Sequence, residues 1–394
     1  MGRNEPVSDA AVPAAAKEPG VGERSWAASL LASHWNLAGE HVALAPLVPA
    51  GGERPLSHVS GLWRVDIATP LPGLGPALVL KTQLNPEAAR PISFHLVKRQ
   101  VLEHCRERGL PVPIPVPSVG GSPVVRYEGL LAELIPLLPG TARPIMTSRQ
   151  AAEVIRAGLA LRATLDVLPG HLTAPLAGLP VPRLVAEENW RFALDDALTR
   201  LLPMAERRTD RWGSAVARSL HELSAAQLLL TSVPEASAEP PAVIHADLHR
   251  HHLLFEGEDM PRLTGILDFD NLELGDRLLD LAWIAEAAAR VAGGETERRR
   301  SLSAFIGRAE ATSLLRPTDT GRLMPVLLAY AIPVIVDIAK DVLERDLLED
   351  IWFEYLDLLS PGRMVGVHAH LLSLSSPSTA VQRHDRPQRR TEPS

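Results

Sequence analysis

The sequence holds a single cysteine, Cys105, in 394 residues. One thiol excludes an intrachain disulfide framework and suits a reducing compartment. Positive charge is also scarce: 40 Lys and Arg stand against 47 Asp and Glu, for a formal net charge of -7. That balance leaves no general footprint for a polyanion, so no nucleic-acid partner is expected. Long hydrophobic runs are missing too. The most apolar stretch, Leu323 to Val336, spans 14 residues and contains Pro325 and Pro333, whereas a membrane helix needs about 20 apolar residues. It reads as a buried, broken helix, and no membrane partner is expected. The opening residues MGRNEPVSDA lack a basic segment followed by an apolar core, and Pro6 spoils a myristoylation pattern. The expected location is cytoplasmic. There is no internal repeat and no P-loop motif, and the oligomeric state is not readable.

What is present is 46% hydrophobic residues, enough for a sizeable core. Residues 1–24, rich in Ala, Pro, Glu and Gly, and residues 373–394, rich in Ser, Pro, Arg and Gln, show no apolar periodicity and are expected to be disordered tails. From Ser25, helical spacing of Trp26, Leu30, Leu31 and Trp35 predicts a first helix. Strand-like runs follow at His41 to Leu47, Leu62 to Ile67 and Ala77 to Thr82, then a helix from Ile92 to Arg108, then strands near Val124 to Tyr127 and Leu130 to Ile135. Beyond residue 140 the pattern is mainly helical. Strands first and helices later predict an α+β fold with segregated lobes. The expected divisions are a lobe over 25–138, with a hinge near 133–138, and a larger lobe over 139–372.

The chemistry concentrates in Val243 to Phe255, VIHADLHRHHLLF, and Ile266 to Asn271, ILDFDN. Asp247 and Asp268 each follow a short apolar or β-branched run. Such a pair suits phosphoryl transfer to a hydroxyl, with one acid accepting the proton and the other holding a divalent cation against phosphates.

These segments resemble the catalytic core of the aminoglycoside phosphotransferase and choline kinase family, distant relatives of protein kinases. The matching motifs are His245-Ala246-Asp247, Leu267-Asp268-Phe269-Asp270 and Gly275-Asp276-Arg277-Leu278-Leu279-Asp280-Leu281-Ala282. His252 stands where most of the family has Asn, as in the macrolide phosphotransferase branch. The resemblance implies a two-lobed protein-kinase-like fold with an N-terminal antiparallel sheet plus helix and a larger, mainly helical C-terminal lobe. It implies Asp247 as catalytic base or orienter of the acceptor hydroxyl, His245 supporting the catalytic loop, and Asp268, His252 and Asp270 at Mg²⁺. Asp280 is expected to be structural. On the nucleotide side it implies Lys81 at the α- and β-phosphates and Ser57, Ser60 and Gly61 in the covering loop. Glu133 and Ile135 are expected in a hinge whose backbone meets the purine of ATP or GTP. The helix glutamate that should pair with Lys81 is not evident, for Lys98 and Gln100 stand near its place.

The activity implied is transfer of a γ-phosphate to a hydroxylated small molecule, an antibiotic or related natural product of aminoglycoside, macrolide or nucleoside type. An amino alcohol, homoserine or choline is the alternative acceptor. Two readings of other classes stay open on the residues alone. His245, Asp247, His249, His251 and His252 form a dense set of zinc-type donors, as a metal-dependent hydrolase would carry. A degenerate kinase fold that only binds nucleotide would suit the unusual His252 and the missing helix acid. Between Asp337 and Asp357 eight acids face two bases, either attracting an amine-bearing acceptor or lying solvated on an amphipathic helix. Trp190, with Glu187 and Glu188, offers a platform for an acceptor or simply begins a helix.

Overall fold

The computed structural model describes residues 24–47, 60–69, 75–84, 89–179, 189–233, 240–258 and 261–375. The expected tails fall largely outside these ranges. Arg24 and residues 373–375, however, belong to helices.

The chain forms two compact units, Met1–Arg99 with Pro113–Leu137, and Gln100–Val112 with Leu138–Ser394. In the first, α1 (Arg24–Trp35) precedes a five-stranded antiparallel sheet of β1 (Val42–Pro46), β2 (Ser60–Ile67), β3 (Ala77–Gln83), β4 (Val125–Tyr127) and β5 (Leu130–Pro136), in the order β1-β2-β3-β5-β4. Between β3 and β4 runs α2 (Ile92–Glu107). Alternation in β2 turns Trp63, Val65 and Ile67 inward to meet Leu78 and Leu80 of β3, Leu134 of β5 and Leu30, Leu31 and Trp35 of α1. The Trp35 indole N–H also donates to the Val116 carbonyl at 3.1 Å, so burial of this ring leaves no donor unpaired.

The second unit is mainly helical. Its helices are α3 (Ser148–Asp166), α4 (Gly170–Ala177), α5 (Asn189–Asp196), α6 (Leu202–Arg207), α7 (Arg211–Ala226), α8 (Leu278–Ala289), α9 (Gly294–Ala311), α10 (Leu323–Leu343), α11 (Ile351–Leu358) and α12 (Pro361–Ser375). Two small antiparallel ribbons interrupt them: β6 (Ala242–Ile244) with β9 (Glu273–Gly275), and β7 (Leu253–Glu256) with β8 (Arg262–Ile266). Thr147 starts α3 with a capping box, its hydroxyl accepting from Gln150 N while the Gln150 side chain returns to Thr147 N. Every residue of α8 is buried, as its unbroken LLDLAWIAEAAA pattern demands of a helix packed on all sides.

The run read as a broken helix is the first part of the continuous α10. Pro325 lies in its first turn, where a backbone N–H has no intrahelical partner to lose. Pro333 lies inside, and the neighbouring buried Leu327, Leu328, Ala331, Ile332, Ile335 and Val336 outweigh its missing hydrogen bond. No helix among the described residues is long and apolar enough to cross a membrane.

Candidate active site

β6 delivers the chain into the segment that holds Asp247, and a buried charge network fixes the loop beyond it. Asp280, on the first turn of α8 and 1% exposed, accepts from the backbone N–H of His245 and of Ala246, both at 3.0 Å. The same carboxylate takes a 2.7 Å bond from the guanidinium of Arg162, which is wholly buried on α3 and also donates to the Val243 carbonyl at 2.6 Å. Ala246 has φ 66°, a strained left-handed turn for a residue with a Cβ. The Asp280 bonds and a 3.1 Å bond from the Trp283 indole to the Ala246 carbonyl hold it there. Asp280 is thus the brace of the loop, in keeping with the structural role expected of it.

His245 locks the loop to the next motif. Its Nε2 lies 2.9 Å from the Leu267 carbonyl and its Nδ1 accepts from Asp247 N at 3.3 Å. Only a neutral ring with hydrogen on Nε2 satisfies both. Burial, the largest influence on it, lowers its pKa and favours that neutral form.

Asp247 emerges with its side chain one-fifth exposed. Asn271 donates to its Oδ2 at 3.3 Å. Burial, offset in part by His252 and reinforced by Asp268, raises its pKa above the ordinary aspartate value, which favours proton acceptance. Tyr330 of α10 lies near this carboxylate, and burial first, then the Asp247 charge, pushes its hydroxyl well above its ordinary value, so it stays protonated.

His252 and Asp268 form the second pair. The His252 Nδ1 is 2.8 Å from the Asp247 carbonyl oxygen, which can only accept, so Nδ1 carries a hydrogen, and in the neutral ring Nε2 then presents its lone pair. That Nε2 lies 3.6 Å from Asp268 Oδ2. Two electron-pair donors facing each other fit a cation, so the residues present suit a divalent ion. Asp268 reaches this position from a left-handed backbone, φ 58° and ψ 68°, and Asp270 follows in a short 3-10 turn, Phe269–Asn271.

Asp247, His249 and His252 also bring ligand atoms within 4.8 Å of one another. Their geometry disfavours the hydrolase reading. The two rings lie tilted against each other with centroids 3.7 Å apart, and the His252 Nδ1 facing Asp247 is committed to a backbone carbonyl. His249 is pushed well below its ordinary pKa by burial and then by the neighbouring histidines, and His251 falls to about 4 for the same first reason.

In the first unit, Lys81 lies on β3, and Ser60 and Gly61 sit within β2 rather than in a loop. Ser57 lies outside the described residues. Glu133 and Ile135 lie inside β5, which ends at Pro136, one residue before the first unit ends at Leu137. The Glu133 side chain is 5% exposed and meets α2, accepting from Lys98 Nζ at 2.7 Å and pairing with His95 Nδ1 at 2.7 Å. Sequence reasoning missed this cluster, as it missed Tyr330 and Arg162. The one available signal was the spacing of His95 and Lys98, three apart on one helix face.

The acidic stretch is not one helix. α10 ends at Leu343 and α11 begins at Ile351, and Asp346 between them has φ 52°. Three of its acids are engaged by arginines: Asp346 with Arg208 at 2.9 Å, Asp350 with Arg211, and Asp357 with Arg290 at 3.1 Å and Arg250 at 3.3 Å. Burial opposes the change at Asp357, yet Arg363 and Arg290 together hold its pKa below the carboxylate value. Trp190 opens α5 with the Arg191 guanidinium 4.5 Å from its ring centre. Glu187 and Glu188 lie outside the described residues.

Comparison with known proteins places these motifs. Homoserine kinase of Pseudomonas aeruginosa (strain UCBPP-PA14) is 30% identical over 218 residues, 55% of this chain and 61% of that protein. Homoserine kinase of Methylobacillus glycogenes is 26% identical over 169 residues, 43% of this chain and 45% of that one. The chain therefore matches between under half and about three fifths of the length of these curated relatives. Among solved structures, a spectinomycin phosphotransferase in complex with ADP and spectinomycin is similar with a TM-score of 0.58 at 12% identity, covering 88% of this chain and 98% of that one. A microcompartment-associated aminopropanol kinase is similar with a TM-score of 0.54 at 18% identity, covering 90% and 97%. These likenesses establish the two-lobed kinase-like α+β fold. The model of the phosphotransferase enzyme family matches residues 79–315, a span that takes in Lys81, Glu133, Asp247, His252, Asp268 and Asp280, and the chain belongs to that family.

Proposed function

We propose that this protein is a kinase that transfers the γ-phosphate of a purine nucleotide to a hydroxyl of a small molecule, with Asp247 receiving the hydroxyl proton. The observation that carries the reading is the state of Asp247. It is partly exposed and bonded by Asn271, on a loop that Asp280 and Arg162 brace. In the step, the acceptor oxygen bonds to phosphorus, the bond from phosphorus to the bridging β–γ oxygen breaks, and the proton passes to the Asp247 carboxylate. Orientation of the hydroxyl contributes more than proton removal, because even a raised carboxylate is a weak base. A divalent cation, Mg²⁺ by family resemblance, would be held by Asp268 and His252 with Asp270 beside them, and would neutralise phosphate charge. Lys81 serves the α- and β-phosphates. ATP and GTP both satisfy the reading.

For the acceptor, a compact amino alcohol of the homoserine kind is favoured. The sequence relatives are homoserine kinases, and Asp346, Asp350 and Asp357 are already matched by arginines. They offer little to a polycationic aminoglycoside. An antibiotic acceptor is the second reading, supported by the likeness in fold to a spectinomycin phosphotransferase.

The test is phosphate transfer from ATP and from GTP, with Mg²⁺, to homoserine, aminopropanol, spectinomycin and a macrolide, read by product mass. Asp247→Ala and Asp268→Ala should each lower turnover by about 10²–10⁴-fold while the protein remains folded. Turnover within a few-fold of the parent in both variants would remove the assignment. Product from spectinomycin or the macrolide, but not from the amino alcohols, would move the acceptor to the second reading.

A further inference from the structure

We infer that Glu133 is the residue that positions Lys81, taking over from the strand the task that a helix glutamate performs in related kinases. The inference rests on the nucleotide reading above and goes beyond it in naming the acid. In kinases the strand lysine must be held by an ion pair with a glutamate on the following helix before it can serve the phosphates. Here that helix, α2, presents Lys98 and His95 instead, and both point to one carboxylate, that of Glu133.

The sheet brings this carboxylate to Lys81. β3 and β5 pair antiparallel with Lys81 directly opposite Glu133. Directly opposite residues share a face, with Cβ atoms about 4.5–5.5 Å apart, so Lys81 and Glu133 stand side by side on the face that meets α2. A carboxylate accepts up to about four hydrogen bonds. Lys98 takes one at Oε2 and His95 one at Oε1, each 2.7 Å long, and these two bonds alone do not exhaust the carboxylate. A carbon chain as long as that of lysine spans the distance between directly opposed strand positions.

The arrangement reverses the usual dependence. Where the acid is on the helix, a shift of the helix breaks the pair. Here acid and lysine belong to adjacent strands, in a register that five consecutive residue pairs fix from Leu78↔Pro136 to Thr82↔Ala132. α2 contributes by pinning the acid, so Lys98 acts through Glu133.

The experiment measures ADP and adenosine binding by calorimetry in the full-length protein, with thermal unfolding in parallel. Glu133→Gln should weaken ADP by about ten- to a hundredfold, the worth of a charge-assisted contact, and leave adenosine unchanged, because Lys81 meets phosphates and not the nucleoside. KM for ATP should rise more than kcat falls. Lys98→Met should lower the melting temperature with a smaller loss of ADP affinity than Glu133→Gln shows. If the single Glu133→Gln protein does not fold, Glu133→Gln with Lys98→Gln removes both buried partners together and is read in the same way. A folded variant that binds ADP as the parent does overturns the inference, and so does an equal loss of ADP and adenosine, which marks a purely structural acid. A parent protein that binds neither these compounds nor GDP and guanosine overturns the nucleotide reading and this inference with it.

Discussion

At the scale of single residues, the buried Arg162–Asp280 pair sets how much one side chain can do. Removing one member leaves the other charged and uncompensated, at a cost of about 3–5 kcal/mol, and Asp280 also carries two backbone N–H groups of the catalytic loop. Asp280→Ala should therefore lose about that much stability in urea denaturation, and a loss below about 1 kcal/mol would show the brace to be dispensable. Cys105 offers an independent check. It is 0% exposed, and burial pushes its thiol from 9.0 to about 12. A neutral thiol reagent at pH 8 should label it only after unfolding. Because the folded pKa exceeds the unfolded one, the stability that the protonated thiol contributes is complete below about pH 9 and declines as pH rises toward 12. The stability difference between the parent and Cys105→Ala should shrink over that window, and a constant difference would contradict the shift. The sequence displayed Asp247, Asp268 and Asp280 plainly, because each sits in a short contiguous motif. It hid the role of Glu133, which depends on a strand register and on α2 facing the sheet, neither of which local spacing encodes. It hid Tyr330 for the same reason, since 83 positions separate it from Asp247.

At the scale of elements, periodicity predicted the five strands of the first unit within a residue or two at most ends, and α2 within one residue at its end. Alternation with one buried face leaves little freedom there. The errors came where the pattern was apolar on all sides or where chain reversal was carried by a residue other than glycine. Pro325 and Pro333 suggested a break that burial overrides, and Asp346 makes the turn that helical spacing concealed. The close approach of α3 and α8 is equally unreadable from local sequence. A Cβ added to Gly158 on α3 would lie 2.6 Å from Ile284 Cγ1 on α8, so the glycine sets how closely these helices approach. Gly158→Ala should destabilise by about 1–3 kcal/mol through overpacking. Pairing it with Ile284→Ala should recover part of the loss, and strictly additive costs in the four-protein cycle would show that the two positions do not touch.

At the scale of the whole molecule, the residues proposed to bind nucleotide and those proposed to transfer phosphate belong to different units. Lys81 and Glu133 lie in the first and Asp247, Asp268 and His252 in the second. Ligand that binds only the folded state stabilises by about 2.7 kcal/mol at a hundred times its dissociation constant. Since two units need not unfold as one transition, the informative quantity is the order of ligand-induced melting shifts across variants. ADP with Mg²⁺ should raise the melting temperature of the parent and of Asp247→Ala alike, because the acceptor base does not hold the nucleotide. Glu133→Gln should show a much smaller rise. Chelation of the metal, or Asp268→Ala, should reduce the shift with ADP but leave that with adenosine intact, because the cation acts on phosphate. Loss of the ADP shift in Asp247→Ala would mean that the acid holds nucleotide or metal directly, and its assignment as the proton acceptor would have to be given up.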